Sequence, residues 1–238
     1  MLGWRGKIGY VCPQAYVFSR EFDHLLPEGV AMVVATLGIE ALVPKEFERL
    51  FNLYQPAAEN LAKYEVGFIF CGGTPIITYN GYDKSKEMAR RIEETTGIPT
   101  RLQLTNQIDA LNKLSAKKIV VATPYQEERN KERKNLLEGV GFDVLSIRGT
   151  GKLTTMEIAN QAPYAAYRLA KEIFLEAPEA DAIYISCPSW EVVADIAALE
   201  RDLGKPVVAS ITADVWAALT TMHIKGPIKG YGRLLEML

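Results

Sequence analysis

The chain has 238 residues, of which 48% are hydrophobic and 24% charged, a composition typical of a globular protein with a sizeable core. The formal net charge of −2 gives no electrostatic reason to expect a nucleic acid or an anionic membrane as a partner. The three cysteines lie far apart and the N-terminus lacks the apolar stretch of a signal peptide, so we expect a reducing, cytoplasmic environment.

Short β-rich apolar runs alternate with longer amphipathic runs, which predicts βαβ units and a mainly parallel sheet. The predicted strands are Ile8–Cys12, Val30–Ala35, Val66–Cys71, Ile119–Ala122, Val144–Ile147, Ala182–Ser186 and Val207–Ser210. The predicted helices include Pro44–Lys63, Ser85–Thr96, Glu127–Glu138, Ala159–Ala177 and Glu191–Leu203. Several of these helices are followed by a glycine, the usual residue after a helix C-terminus.

The pattern then repeats along the chain. The segment Lys7–Pro13 matches Lys118–Pro124, and the strand ending at Cys71–Pro75 corresponds to the one ending at Ile185–Ser189. Several matches in register indicate an internal duplication. We therefore predict an α/β fold of two pseudo-symmetric, Rossmann-like halves with mainly parallel sheets and an active site in the cleft between them. The first half is predicted to comprise residues 1–108 plus 212–238, and the second residues 109–211.

The strand ends carry the residues of chemical interest. Cys187 lies where a strand gives way to a predicted helix, and Pro188 suits the first helical position. A thiol there would feel the positive end of the helix dipole, which lowers its pKa and suits acid–base chemistry. The alternative is a buried, inert cysteine, and position alone leaves both open.

Further candidates follow the other strands. Gly73 permits close approach of the backbone to a ligand, or simply a tight turn, while Thr74 and Tyr125 offer hydroxyl groups to a carboxylate or to local turns. Possible residues lining the cleft are Cys12, Pro13, Gln14 and Cys71.

Metal and nucleotide sites are not indicated. His24 and His223 are isolated and lack a carboxylate pair, and no G-x-G-x-x-G motif follows a strand. We therefore expect neither a metal nor another cofactor, and a small molecule as the partner. The sequence carries no signal for an oligomeric state.

Taken together, these motifs resemble the aspartate/glutamate racemase superfamily, in the branch of arylmalonate decarboxylase and maleate cis-trans isomerase. The resemblance covers nearly the whole chain and rests on Ile8–Pro13, Gly73–Pro75, Thr123–Tyr125, Ser186–Cys187 and Leu203–Val208, with Trp216 beyond. It implies two pseudo-symmetric α/β halves with the active site between them.

The resemblance also implies a chemistry. Racemases of this family place one cysteine on each half, whereas here Cys187 matches the second position and Gly73 the first. Glycine in the first half and cysteine in the second is the pattern of arylmalonate decarboxylase. This implies a cofactor-free decarboxylation of a substituted malonate-like acid, in which Cys187 protonates the enediolate as general acid. Thr74 and Tyr125 match donor positions of the family's anion pocket.

Two residues depart from the decarboxylase pattern. The decarboxylase has Ser where this chain has Pro75 and Gly where it has Pro188, so donors are missing, although Ser189 could compensate. The implied anion pocket therefore comprises Gly73, Thr74, Pro75, Tyr125, Pro188 and Ser189.

Two alternatives remain open at this point. A slip at the turn could bring Cys71 forward as a second thiol, which would suit a maleate-type isomerase or an amino-acid or hydantoin-type racemase. The missing donors would also suit a non-catalytic protein that binds small acids.

Overall fold

The protein folds as two four-stranded parallel sheets with flanking helices, seen in a computed structural model that describes residues 2–162 and 164–238. The strand orders are β2-β1-β3-β4 and β6-β5-β7-β8, so the second sheet repeats the topology of the first. The strands of the first sheet are β1 (Gly6–Cys12), β2 (Val30–Thr36), β3 (Phe68–Cys71) and β4 (Thr100–Leu102). Those of the second are β5 (Lys118–Tyr125), β6 (Asp143–Lys152), β7 (Ala182–Ile185) and β8 (Val207–Ala209).

Helices connect the strands, as parallel pairing requires. The first half of the chain contains α1 (Pro44–Phe51), α2 (Tyr54–Ala62), α3 (Thr74–Asn80), α4 (Tyr82–Thr96) and α5 (Gln103–Lys113). The rest contains α6 (Glu127–Gly139), α7 (Thr155–Ala159), α8 (Ala165–Glu176), α9 (Ile196–Leu203), α10 (Ser210–Thr221) and α11 (Arg233–Glu236). Two 3-10 helices cover Tyr16–His24 and Val193–Asp195.

The register confirms the duplication. In the first sheet β1 pairs with β3 so that Val11 faces Cys71, and in the second β5 pairs with β7 so that Ala122 faces Ile185. The central strands β1 and β5 thus have equivalent neighbours, and the segments after β3 and β7 are equivalent strand ends. The carboxyl ends of such strands are where ligands bind in open α/β sheets.

The two faces of the first sheet belong to different parts of the core. Tyr10 and Phe70 stack on one face, with their ring centroids 4.4 Å apart, and pack with Phe22 and with residues of α10. Val11 and Cys71 point to the other face, into the larger core cluster that continues through the second sheet. One apolar core thus joins the two halves.

Several predicted elements needed correction. The helix predicted over Pro44–Lys63 is two helices, α1 and α2, which meet at Asn52 and Leu53. The helix predicted over Ala159–Ala177 begins only at Ala165, and the one predicted from Glu191 is a 3-10 turn followed by α9. Helices α3, α5, α7, α10 and α11 were not predicted from the sequence. Within the described residues, no helix is long and apolar enough to cross a membrane.

Candidate active site

A narrow cavity lies where the strand ends of both halves meet. Its volume is about 30 Å³, enough for roughly two water molecules. The first half contributes Pro13, Gln14, Ile39, Leu42, Gly73, Thr74, Pro75 and Ile76 to the lining. The second half contributes Tyr125, Thr155, Ile158, Cys187, Pro188 and Ser189.

Gly73 forms the first-half wall with a left-handed backbone, at φ 89°. A Cβ atom built on it would lie 2.7 Å from the Cγ of Pro13 and 3.0 Å from both the Tyr54 hydroxyl and the Cδ1 of Ile76. Real Cβ atoms do not approach their neighbours so closely, so this wall has no room for a side chain. The Gly73 N–H is held by the Oε1 of Gln103 at 3.3 Å.

Two hydroxyl groups provide donors in the cavity. Thr74 is buried at the start of α3, and its Oγ1 makes no hydrogen bond within the described residues. Tyr125, at the end of β5, is 3% exposed, and burial raises the pKa of its phenol well above the usual range. Both hydroxyl groups therefore keep their protons at neutral pH and can donate to a bound oxyanion.

Cys187 occupies the equivalent wall in the second half. Its φ is 101°, a strained value for a residue with a side chain, and its N–H donates to the Ser210 Oγ at 3.0 Å. The thiol is 8% exposed. Burial raises its pKa, and this effect outweighs the backbone of Ser189, the hydroxyl of Tyr125 and the charge of Arg133, all of which act in the opposite direction.

The expected helix N-terminus at Cys187 is wrong. Pro188 and Ser189 lie in a turn, and the next α-helix begins only at Ile196. The thiol therefore receives no direct stabilisation from a helix dipole, whose effect is confined to the first turn. The shift of its pKa runs upward instead of downward, so the group present at neutral pH is the thiol and not the thiolate.

The remaining predicted site residues divide into two groups. Pro13 and Gln14 line the cavity with Pro75, Pro188 and Ser189. Cys12 and Cys71 do not line it. The Cys12 thiol donates to the Gln14 carbonyl at 3.2 Å, and Cys71 points into the larger core cluster, so neither offers its sulfur to the cavity. Burial raises the pKa of each of these two thiols to about 12.

Three apolar residues of the lining, Ile39, Leu42 and Ile158, were not predicted from the sequence, and we call them the roof of the cavity. The loop after β2 and the segment after β6 meet there, because the Leu42 N–H donates to the Leu153 carbonyl at 2.9 Å and Ala41 forms a bridge with Thr154. Both segments follow carboxyl ends of strands, a position that could have identified them as candidates.

A second contact joins the halves beside the cavity. Glu21, in the first 3-10 helix, accepts hydrogen bonds from the N–H groups of Val192 and Val193, at 2.8 Å from the latter. Burial raises the pKa of this carboxyl to about 7, against the lowering effect of those hydrogen bonds. The segment that follows Cys187 is thereby anchored to the first half.

Comparison with known proteins places the chain in a family. The family model described as arylmalonate decarboxylase matches residues 8–235. The chain belongs to the arylmalonate decarboxylase family. The chain is similar to arylmalonate decarboxylase of Bordetella bronchiseptica, with 24% identity over 227 residues, or 95% of this chain and 94% of that protein. Maleate isomerase of Pseudomonas putida is 24% identical over 162 residues, or 66% of this chain and 63% of that protein.

Solved structures related to the arylmalonate decarboxylase family share the fold over the whole chain. A liganded double mutant of arylmalonate decarboxylase, with a glycine changed to cysteine and a cysteine to serine, has a TM-score of 0.90 and 22% identity. The alignment covers 98% of this chain and 100% of the mutant chain. A cysteine-to-serine mutant of the Nocardia farcinica maleate cis-trans isomerase, with a covalently bound succinylcysteine intermediate, has a TM-score of 0.89 and 18% identity. The alignment covers 98% of this chain and 99% of the isomerase chain.

The residues of the site also bear on metal binding. No group of three or more His, Cys, Asp or Glu side chains in the described ranges is arranged to hold a metal ion. The functional groups of the cavity are one thiol, four hydroxyl groups, the Gln14 amide and backbone N–H groups, a set that donates hydrogen bonds and protons.

Proposed function

We propose that the protein is a cofactor-independent decarboxylase of a substituted malonate or a similar carboxylic acid, with Cys187 as the general acid. The observation that carries this proposal is the single protonated thiol of the cavity, which shares the lining with Gly73, where a Cβ atom would collide with Pro13. Such a site can deliver a proton to one face of a carbanionic intermediate and has no second thiol on the other face.

The reaction begins with a carboxylate bound by the donors of the cavity. The bond between the α-carbon and the second carboxyl group breaks, and carbon dioxide leaves. The electron pair stays on the substrate as an enediolate, whose two oxygens accept hydrogen bonds from Thr74 and Tyr125. This charge develops only as the reaction proceeds. The two donors therefore stabilise the transition state more than the bound substrate, which accelerates the reaction.

The second step is protonation. Cys187 transfers its proton to the α-carbon and becomes a thiolate, which takes a new proton from water before the next turnover. The backbone and hydroxyl of Ser189 and the hydroxyl of Tyr125 stabilise this thiolate by hydrogen bonding. Ser189 therefore supplies part of what is missing at Pro75 and Pro188, which have no N–H to donate.

The side group of the substrate has a defined place. The roof residues Ile39, Leu42 and Ile158 are apolar, whereas the donors lie at the strand ends. An apolar substituent on the malonate would be buried against this roof while its carboxylate faces the donors. Since the cavity volume is only about 30 Å³, we expect the site to widen when such a substrate binds.

The proposal is tested with phenylmalonate and methylmalonate in deuterium oxide, measuring carbon dioxide release and deuterium incorporated at the α-carbon. The wild type should release carbon dioxide, and Cys187→Ala should lose activity by roughly 10²- to 10⁴-fold, the usual contribution of a positioned general acid. Cys71→Ala is the matched control, because this cysteine is buried in the other half and does not line the cavity. Undiminished turnover in Cys187→Ala would remove Cys187 from the mechanism.

The pH dependence follows from the same group. A general acid must be protonated, and the pKa of Cys187 is raised above its ordinary value. Activity should therefore persist through neutral pH and fall only in the alkaline range, as the thiol ionises.

A maleate-type cis-trans isomerase is the second candidate, favoured by the similarity to maleate isomerases and by the succinylcysteine adduct in one of them. Attack on a double bond needs a thiolate, which the raised pKa of Cys187 disfavours. Incubation with maleate distinguishes the two reactions, because isomerisation yields fumarate without carbon dioxide. If small carboxylic acids raise the thermal stability of the protein but neither carbon dioxide nor fumarate forms, the result would instead favour a binding protein.

A further inference from the structure

Helix α6 carries two buried arginines one turn apart, and only one of them is neutralised. Arg129 is 7% exposed and forms ion pairs with Glu128 and Glu132, each at 2.8 Å. Arg133 is 1% exposed and has no carboxylate within ion-pair distance among the residues that the structure describes. A buried charge without a counter-ion is expensive, so its retention calls for a compensating interaction.

The partners of Arg133 are neutral groups next to the cavity. Its Nη1 donates to the Tyr184 hydroxyl at 3.0 Å and to the Ser186 Oγ at 3.4 Å, while its Nε makes no hydrogen bond. The Tyr184 hydroxyl in turn donates to the Oε1 of Gln107. Ser186 directly precedes Cys187, so this guanidinium holds the strand end from which the thiol projects.

Other charged groups around Arg133 do not cancel it. Glu132 lies on the same helix as Arg133 and forms an ion pair with Arg129. On α10, Asp214 accepts hydrogen bonds from Gln103 and Asn106, and burial raises the pKa of this carboxyl well above the usual range. A carboxyl with so high a pKa favours its neutral form, which leaves the charge of Arg133 uncompensated on the Asp214 side as well.

The field of Arg133 reaches the groups that line the cavity. Its charge lowers the pKa values of both Cys187 and Tyr125, in opposition to the larger effect of burial. Negative charge in the cavity is therefore stabilised, whether it belongs to a bound carboxylate, an enediolate or the thiolate left after proton transfer.

We propose that Arg133 is a positioning residue that supplies the positive charge of the active site, with the anion bound in the cavity as its counter-ion. It fixes the Ser186–Cys187 strand end through hydrogen bonds and stabilises the anionic substrate and intermediate from behind the cavity wall. This inference deepens the proposed function and rests on it for the nature of the anion, which is a dicarboxylate and its enediolate product.

The test begins with a measurement that needs no substrate. The rate at which iodoacetamide alkylates Cys187 is measured against pH, with Cys187→Ala as the blank for the other cysteines. Arg133→Met should slow alkylation about tenfold at a fixed pH below the thiol pKa, because loss of the charge disfavours the thiolate. Arg133→Lys should retain most of the wild-type rate. A merely structural role would not move this pH profile in a variant that remains folded.

Arg129→Met is the matched control, because it removes a buried arginine from the same helix whose charge is already neutralised. Its alkylation profile should stay within about twofold of the wild type. Arg133→Gln is a second uncharged variant that can still donate to Tyr184 and Ser186 if Arg133→Met fails to fold. An uncharged variant that folds, as checked by circular dichroism, and has the profile of Arg129→Met overturns the proposal.

The catalytic measurement separates this proposal from the function on which it rests. With phenylmalonate, Arg133→Met should lose about 10- to 100-fold in kcat/KM, with an increase in KM, while Arg133→Lys recovers most of the loss. If no malonate releases carbon dioxide but the alkylation profile still moves with the charge at Arg133, the decarboxylase proposal fails and the electrostatic role of Arg133 stands. If carbon dioxide is released equally by wild type and Arg133→Met, the role of Arg133 fails and the decarboxylase stands.

Discussion

The ends of strands β3 and β7 have equivalent backbones but opposite chemistry. Gly73 follows β3 at φ 89°, and Cys187 follows β7 at φ 101°, so both strand ends turn through the left-handed region. Glycine adopts this region freely, whereas a residue with a Cβ atom incurs roughly 1–3 kcal/mol of strain. The duplicated fold thus needs the same turn twice, and only the second copy accepts strain to place a thiol in it.

The comparison explains why the site is one-sided. Pro13 and the Tyr54 hydroxyl fill the space that a side chain at residue 73 would need. At Cys187 the side chain is accommodated, and the turn is held by the bond from its N–H to the Ser210 Oγ. Strained backbone that persists in a folded protein is concentrated at functional sites, so the strain at Cys187 supports its chemical role.

The largest expected effect comes from breaking the asymmetry at the first half. Gly73→Ala places a Cβ atom in the left-handed region and against Pro13, and we expect it to lower the free energy of unfolding by about 3 kcal/mol. The value is measured by urea denaturation at neutral pH. Strain and collision both contribute to this loss.

Gly97→Ala separates the two contributions. Gly97 lies in the left-handed helical region like Gly73, at φ 69° and ψ 10°, but a Cβ atom there would meet nothing within 4 Å. Only the backbone strain applies, and the expected loss is about 1 kcal/mol. Equal losses at the two positions would show that the wall at Gly73 does have room for a side chain.

Much of this architecture could be predicted from the sequence, for identifiable reasons. The repeated segment Lys7–Pro13 and Lys118–Pro124 lies on the central strands, whose apolar runs are typical of buried parallel strands. Helix α10 was missed because it is buried on nearly all sides, so its sequence lacks the apolar–polar periodicity of a surface helix. The same holds for much of α5, where the polar residues Gln103, Asn106 and Gln107 are buried.

The candidate site was harder to predict than the fold. The glycine and the cysteine follow from their places after β3 and β7, but the direction of the Cys187 pKa depends on burial and on the absence of a helix at Pro188. Neither can be seen in a short sequence motif. Likewise, Arg133 belongs to a charge-rich run that is most simply the exposed face of a helix, and only the three-dimensional packing shows it to be buried.

A smaller effect on stability is expected at Glu21, which joins the two halves of the molecule. Glu21 has a pKa of about 7 in the folded protein, above the usual value near 4.5. A raised carboxyl pKa means that the folded state binds the proton more tightly, so the stability contributed by Glu21 is lost as pH rises from about 4.5 through 7. Glu21→Gln does not titrate, and its stability relative to wild type should therefore rise by about 2 kcal/mol between pH 5 and pH 8.

The measurement is the free energy of unfolding of both proteins in urea across that range. Glu28→Gln provides a control, since the Glu28 side chain is exposed and takes no part in the contact with Val192 and Val193. A stability difference for Glu21→Gln that stays constant from pH 5 to pH 8 would contradict the assignment. The contact of Glu21 with Val192 and Val193 would then not depend on its charge.

The smallest effect tests the strain at Cys187 itself. Both Cys187→Ala and Cys187→Gly remove the thiol, but only the glycine variant relieves the left-handed backbone, so it should be the more stable of the two by about 1 kcal/mol. At Cys71, which lies in β3 with ordinary strand geometry, the same pair should show the opposite order, because glycine weakens a strand interior. Urea denaturation of the four variants gives both differences. The same order at both positions would mean that the two strand ends do not differ in strain, and the asymmetry between the halves would then rest on the thiol alone.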